Sequence, residues 1–454
     1  MALFADRQAL NQLTLSMSKS SANQTLSDPT LPFRVDMTER VLQFIWQFQY
    51  FNKSELRSST GENIQIIFCG QYNTNQGPDF LDAKIKIGNE TWAGNVELHV
   101  KASEWKKHGH DEDHNYSNVI LHVVWENDID HADMIPVLEL RDRISKFLLE
   151  RYSELMNAGG FIACDKSIHL VKDIVWKAWK ERLLAERLIR KSASVETFLK
   201  ESNYHWEEAF WWLLARNFGA QVNAEPFEAV AKSIPLSILA KHRNQIHQLE
   251  ALLLGQAGLL NETFHEDYPK MLQKEYRFFR SKYGLKPIKG SVYFLRMRPG
   301  NFPTIRLAQL AMLVHESAHL FSKIKDATTA SEVKKWFEIT ANDYWHYHYN
   351  LDESTSFRKK KLGADMIAVI IINTVAPMLF AYGSYHKEEG LKQKAIRWLE
   401  ETSAEVNSLT KGFQRLGVEN NTAFDSQALI ELRNEYCNKK RCLDCAVGNA
   451  ILKT

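Results

Sequence analysis

Residues 70–87 read G-Q-Y-N-T-N-Q-G-P-D-F-L-D-A-K-I-K-I and residues 92–101 read W-A-G-N-V-E-L-H-V-K; these two stretches decide the fold of the N-terminal part. From Leu81 to Ile87 the odd positions (Leu81, Ala83, Ile85, Ile87) are apolar and the even ones (Asp82, Lys84, Lys86) charged. That period of two predicts a half-buried strand. Gly88-Asn89 supplies a turn. The alternation then returns, with Val96, Leu98 and Val100 on one face and Glu97, His99 and Lys101 on the other. Val119 to Trp125 is apolar almost throughout, which predicts a central strand covered on both sides. The outcome is a sheet with one chemically loaded face.

Working outward, Met37 to Phe51 carries a helical pattern, with Asp36 or Thr38 available as N-cap and Glu39 in the first turn. The sheet should run from about Ile64 to Leu140, followed by a helix over Lys146–Met156. Gly159-Gly160 marks a domain boundary. Beyond it, apolar residues recur at three- and four-residue spacing, including Val171–Leu199, Ile305–Ile324 and Ala364–Ala381. The predicted fold class is α+β. Residues 36–158 form a mixed β-sheet domain, and residues 159–454 form a large, mainly α-helical domain ending in a cysteine cluster. Residues 1–35, rich in Ser, Asn, Thr and Gln, are expected to be flexible or to wrap the surface.

The chain has 454 residues, 44% hydrophobic and 25% charged, with a net charge of +2. Any basic groove for nucleic acid must therefore be local. No run of eighteen consecutive apolar residues predicts a membrane span, and the polar N-terminus lacks a signal-peptide core. A cytoplasmic location is expected, with protein partners and oligomeric state undefined.

Asp79 and Glu97 sit where a hairpin brings two carboxylates side by side, an oxygen-rich pair suited to Mg²⁺ or Mn²⁺. His99 or Lys101, on the same face as Glu97, is placed to orient a metal-bound water or to meet charge on a phosphate. In the following loop, His108, His110 and Asp113, with His122 of the next strand, form a second potential ligand set. Cys437-x4-Cys442-x2-Cys445 places three thiols close together, with Cys164 as a fourth ligand for Zn²⁺ or an iron–sulfur cluster. His315-Glu-Ser-Ala-His319 matches H-E-x-x-H on an expected helix, with Glu338 in the position of a third zinc ligand.

Pro78-Asp79 followed by Glu97-Leu98-His99 resembles the PD-(D/E)XK nuclease superfamily, with His in the place of its lysine and Glu39 as the additional acid that many members carry on the preceding helix. The resemblance implies a restriction-endonuclease-like sheet and divalent-metal-dependent hydrolysis of nucleic acid phosphodiesters. It assigns roles to Asp79, Glu97, His99, Lys101 and Glu39. Two other functions stand beside it: a zinc metallopeptidase using His315, His319 and Glu338, and a catalytically inactive nucleic-acid-binding or scaffold protein. End to end, the chain resembles an uncharacterised bacterial domain-of-unknown-function family. That likeness is carried by Gly77-Pro78-Asp79-Phe80, Trp92-x-Gly94-x-Val96-Glu97-x-His99, Arg298-Pro-x-Asn-Phe-Pro303 and Tyr436-Cys-x4-Cys-x2-Cys445, and it implies no activity.

Overall fold

The computed structural model of the protein describes residues 26–27, 36–73, 75–129, 135–295 and 297–453. Apart from Leu26–Ser27, the expectation for residues 1–35 lies outside them. The chain is mixed α/β with a mainly helical body, and it divides into two compact units, 1–175 with 436–454, and 176–435. This differs from a single boundary after residue 158. The cysteine-bearing C-terminus belongs with the sheet, not with the helices that precede it. Within the first unit Tyr50 Oη donates to Asn449 Oδ1 (2.9 Å), Arg151 donates to the Ile451 carbonyl (3.0 Å), and Arg40 pairs with Asp444. Tertiary bonds of this kind have no local sequence signal.

In the first unit, β1 (Leu26–Ser27) and β2 (Asp36–Met37) form a small antiparallel pair. Helix α1 (Glu39–Phe48) follows, capped by Thr38, whose side chain accepts from Val41 N (3.3 Å). The main sheet contains β3 (Ile64–Phe68), β4 (Gln71–Tyr72), β5 (Phe80–Ile87), β6 (Glu90–Lys101), β7 (Val119–Glu126) and β8 (Val137–Glu139). Its order is β3-β5-β6-β7-β8, with β4 also paired to β5. β3, β5 and β6 are antiparallel, whereas β6–β7 and β7–β8 are parallel. A parallel pair cannot be joined by a tight turn, so residues 102–118 must cross over, and they do so through the short helix α2 (Glu104–Lys107) and the histidine-rich loop.

Two details differ from simple alternation. The register of β5 against β6 slips between Phe80 and Ala83, with Asp82 at φ +58°, so that Phe80 is buried together with Ala83, Ile85 and Ile87. A bulge of this kind re-aims the strand end that carries Asp79. Opposite it, Gly70 has φ +95° and no room for a side chain, because a Cβ there would lie 2.9 Å from that of Phe80. On β6 both faces are covered from Val96 to Val100, so Glu97 and His99 are buried rather than solvated. β7 is buried on both sides as its composition predicts.

The second unit is helical around one large apolar core, with some buried polar groups bonded inside it. Glu250, for example, accepts from Trp345 Nε1 and Tyr268 Oη, both at 2.9 Å. One helical stretch, Ala364–His386, is long and apolar enough to cross a membrane, but 72% of its most apolar window is buried inside the fold, as in a core helix.

Candidate metal site on the central strands

Asp79 and Glu97 meet at the β5–β6 hairpin through reciprocal bonds. Asp79 N donates to Glu97 Oε2 (2.9 Å), and Leu98 N donates to Asp79 Oδ2 (3.1 Å). Gln43 Nε2, one helical turn beyond Glu39 on α1, donates to Asp79 Oδ1 (2.7 Å). The i, i+4 spacing of Glu39 and Gln43 places both on one helix face, a signal present in the sequence but not used there. Burial pushes both Asp79 and Glu97 well above the usual carboxylate range. The charge of Glu39 adds to the shift of Asp79, and that of Asp79 to the shift of Glu97. Glu39 is itself raised, first by burial and then by Glu104. Three expected acids therefore converge, joined by Glu104, which nothing in the sequence singled out. Glu104 Oε2 is occupied by Lys101 N (3.0 Å).

The nitrogen bases behave differently. Lys101 is turned toward Asp128, 4.0 Å from its Oδ2, and does not join Asp79 and Glu97. His99 is 1% exposed and lies within a ring of imidazoles. Its Nδ1 is 2.9 Å from His122 Nε2, and its Nε2 is 3.1 Å from His108 Nδ1. Burial, then the neighbouring His122, His110 and His108, holds the His99 pKa down at about 2; burial likewise lowers His110 and His122 to about 4. All three are neutral at physiological pH, so His99 cannot supply the positive charge of the lysine it replaces. Of these three rings, His110 has an Nε2 without a hydrogen-bond partner. Trp105 packs edge-on against His99 and His110, and Tyr116 stacks on His110 at 3.8 Å between ring centres. A cavity of about 610 Å³ opens here, lined by Trp105, His110, Asp113, Tyr116 and His122.

Among the described residues, one group of three potential ligands has all its donor atoms within 4.8 Å of one another, and it consists of His99, His108 and His110. Neither the acids nor the cysteines form a group of three at that spacing among the described residues. Cys164, Cys442 and Cys445 are nonetheless buried and near one another in the first unit, where burial and then Cys445 and Cys442 push the Cys164 thiol up to about 12. Cys437 lies half-buried at the start of the same segment.

His315 and His319 do not share a helix face, which corrects the expectation of one helix over Ile305–Ile324. The helix Pro303–Glu316 ends there; Ser317 is extended, His319 sits at φ +51°, and a new helix runs over Leu320–Asp326. Glu207 drives the break by accepting from Phe321 N (3.2 Å) and Ser322 N (2.9 Å), capping the second helix where the first would have continued. His315 Nδ1 is bonded to the Arg243 carbonyl (2.6 Å), and the exposed Glu338 lies 3.7 Å from Lys361.

Residues 39–408 match the family described as "Protein of unknown function (DUF2851)", and the chain belongs to that family. It matches none of the curated proteins and none of the solved structures with which it was compared.

Proposed function

We propose that the sheet face carrying Asp79 and Glu97 is a divalent-metal-dependent phosphodiesterase site acting on nucleic acid. The observation that carries this reading is the half-buried Asp79 bonded through its backbone to the buried Glu97 carboxylate, with Glu39 within electrostatic reach. Like charges held together away from water are unfavourable unless protonated or neutralised, and a divalent cation neutralises them. Asp79 and Glu97 would hold Mg²⁺ or Mn²⁺, and Glu39 would help to hold it or to orient the attacking water. With His99 neutral and Lys101 engaged elsewhere, charge developing on the phosphate falls to the metal.

Zn²⁺ or an iron–sulfur cluster at Cys164, Cys437, Cys442 and Cys445 completes the proposal as a structural centre for the same unit. The test is cleavage of single- and double-stranded DNA and RNA in Mg²⁺ and in Mn²⁺, alongside Asp79→Ala and Glu97→Ala. Cleavage indifferent to both substitutions sinks the assignment. Salt-sensitive retention of nucleic acid without turnover in any metal makes the protein a binding module on an inactive nuclease fold.

A further inference from the structure

We propose that His99, His108 and His110 form a transition-metal site distinct in chemistry from the oxygen-rich pair beside it, binding one ion such as Zn²⁺ in preference to Mg²⁺. Three imidazoles around a first-row metal, with nitrogen–metal bonds of about 2.1 Å, stand about 3.4 Å apart at tetrahedral geometry. His99 Nε2 and His108 Nδ1 are already 3.1 Å apart, and all three donors fall within 4.8 Å. His108 is exposed on the crossover loop, whereas His99 is buried on β6.

The second observation is independent of spacing. His110 is nine-tenths buried, and its Nε2 has no hydrogen-bond partner. An unsatisfied buried nitrogen is unfavourable, and here it faces Glu97 Oε1, 3.5 Å away at a distance too long for a good bond. Glu97 Oε1 is also 3.8 Å from His99 Nε2. Its other oxygen is held by Asp79 N, which leaves Oε1 facing the imidazoles, where it can accept a hydrogen bond from water in the open fourth position.

The surroundings are those of a prepared site. His122 Nε2 is bonded to His99 Nδ1 and orients the ring with Nε2 toward His108, as outer partners of metal-bound histidines do. Tyr116 and Trp105 clamp the rings of His110 and His99. Imidazole nitrogens suit borderline-soft ions and offer little to Mg²⁺, which retains its water and prefers oxygen.

The inference concerns which ion is bound and stands whether or not the acidic face hydrolyses anything. Full-length protein stripped with a chelator is titrated with Zn²⁺ in a competition assay and, separately, with Co²⁺ while its absorption is followed. Wild type should bind one equivalent more than His108→Ala or the His108→Ala/His110→Ala pair, with affinity at that site at least about 100-fold weaker in the single variant. The lost Co²⁺ signal should be ligand-field bands without the thiolate charge transfer that cysteine ligands would add. His114→Ala, on the same loop, should bind as wild type does. Because His108 is exposed, its single variant carries the test even where the double variant melts early. Equal stoichiometry in wild type and His108→Ala overturns the proposal, as does an equal loss in His114→Ala. Mg²⁺-supported cleavage together with unchanged Zn²⁺ binding in the histidine variants would spare the phosphodiesterase reading and remove this one. Zinc bound and lost as described, with no cleavage in any metal, would do the reverse.

Discussion

Two segments of this protein carry the residue types of a metal site, and the fold treats them in opposite ways. At Glu97-Leu98-His99 a parallel crossover returns three more histidines to the same strand, and a hairpin brings Asp79 alongside. At His315-Glu-Ser-Ala-His319 a glutamate from another helix caps the chain in mid-motif and turns the two imidazoles apart. The first spacing is a weak pattern and the second a much sharper one. What separates them is whether the element carrying the motif persists. Strand β6 is fixed by pairing on both edges; the helix at residue 316 has only its own next turn to hold it against a competing cap.

The largest expected effect lies on the assembled side. Asp79→Ala or Glu97→Ala should lower metal-supported cleavage by about 1000-fold or more, since losing a cation's ligand forfeits several kcal/mol of charge stabilisation. Initial rates in Mn²⁺ measure this. Next comes the cysteine centre. On the proposed cysteine ligation, Cys164→Ser should lower the metal content of the purified protein, and the melting temperature of the first unit should fall by several degrees. Metal analysis with a visible spectrum checks it and separates a coloured iron–sulfur cluster from colourless zinc.

The pH response is smaller and has a worked sign. Asp79 and Glu97 have folded pKa values raised above their unfolded ones, so the folded state binds more protons between about pH 4 and the raised values. Their contribution to stability is therefore lost as pH rises through that window. Chelator-treated protein should gain more melting temperature from Mn²⁺ at pH 8 than at pH 5, and Glu97→Gln should abolish most of that difference. Buried neutral His99, His110 and His122 act oppositely, with folded pKa values depressed. Stability they contribute above about pH 6.5 is lost as pH falls. Calorimetry across pH 5–9 tests both arms.

The smallest effects belong to the dispersed motif. His315→Ala should cost about 1 kcal/mol through its bond to the Arg243 carbonyl and leave zinc content unchanged. His319→Gly should be neutral or stabilising by up to about 1 kcal/mol, because glycine accepts φ +51° without strain. Zinc lost with either substitution would reverse the comparison.

The strands over residues 80–126 were readable, because alternation along a strand is a local property, but the burial of Phe80, Glu97 and His99 was not. A cap at Asp36 or Thr38, β7 as a strand covered on both faces, and helices through most of residues 159–454 are of the same kind. The bulge at Asp82 was not readable, since it depends on which residue of β6 faces Phe80. Glu104 and Gln43 escaped notice for a related reason: their importance comes from what stands opposite them.

The amino-acid order by itself determined a sheet followed by helices and placed an acid, a second acid and several histidines within one short region. Only the tertiary structure decided that His99 is neutral, that Lys101 turns toward Asp128, that the C-terminal cysteines return to the sheet, and that the helix carrying His315 stops at Glu316. The physical reason is common to all four. Charge state, hydrogen-bond choice and helix termination are settled by partners distant in the chain, whose competition with local preference amounts to only a few kcal/mol and leaves no trace in residue spacing.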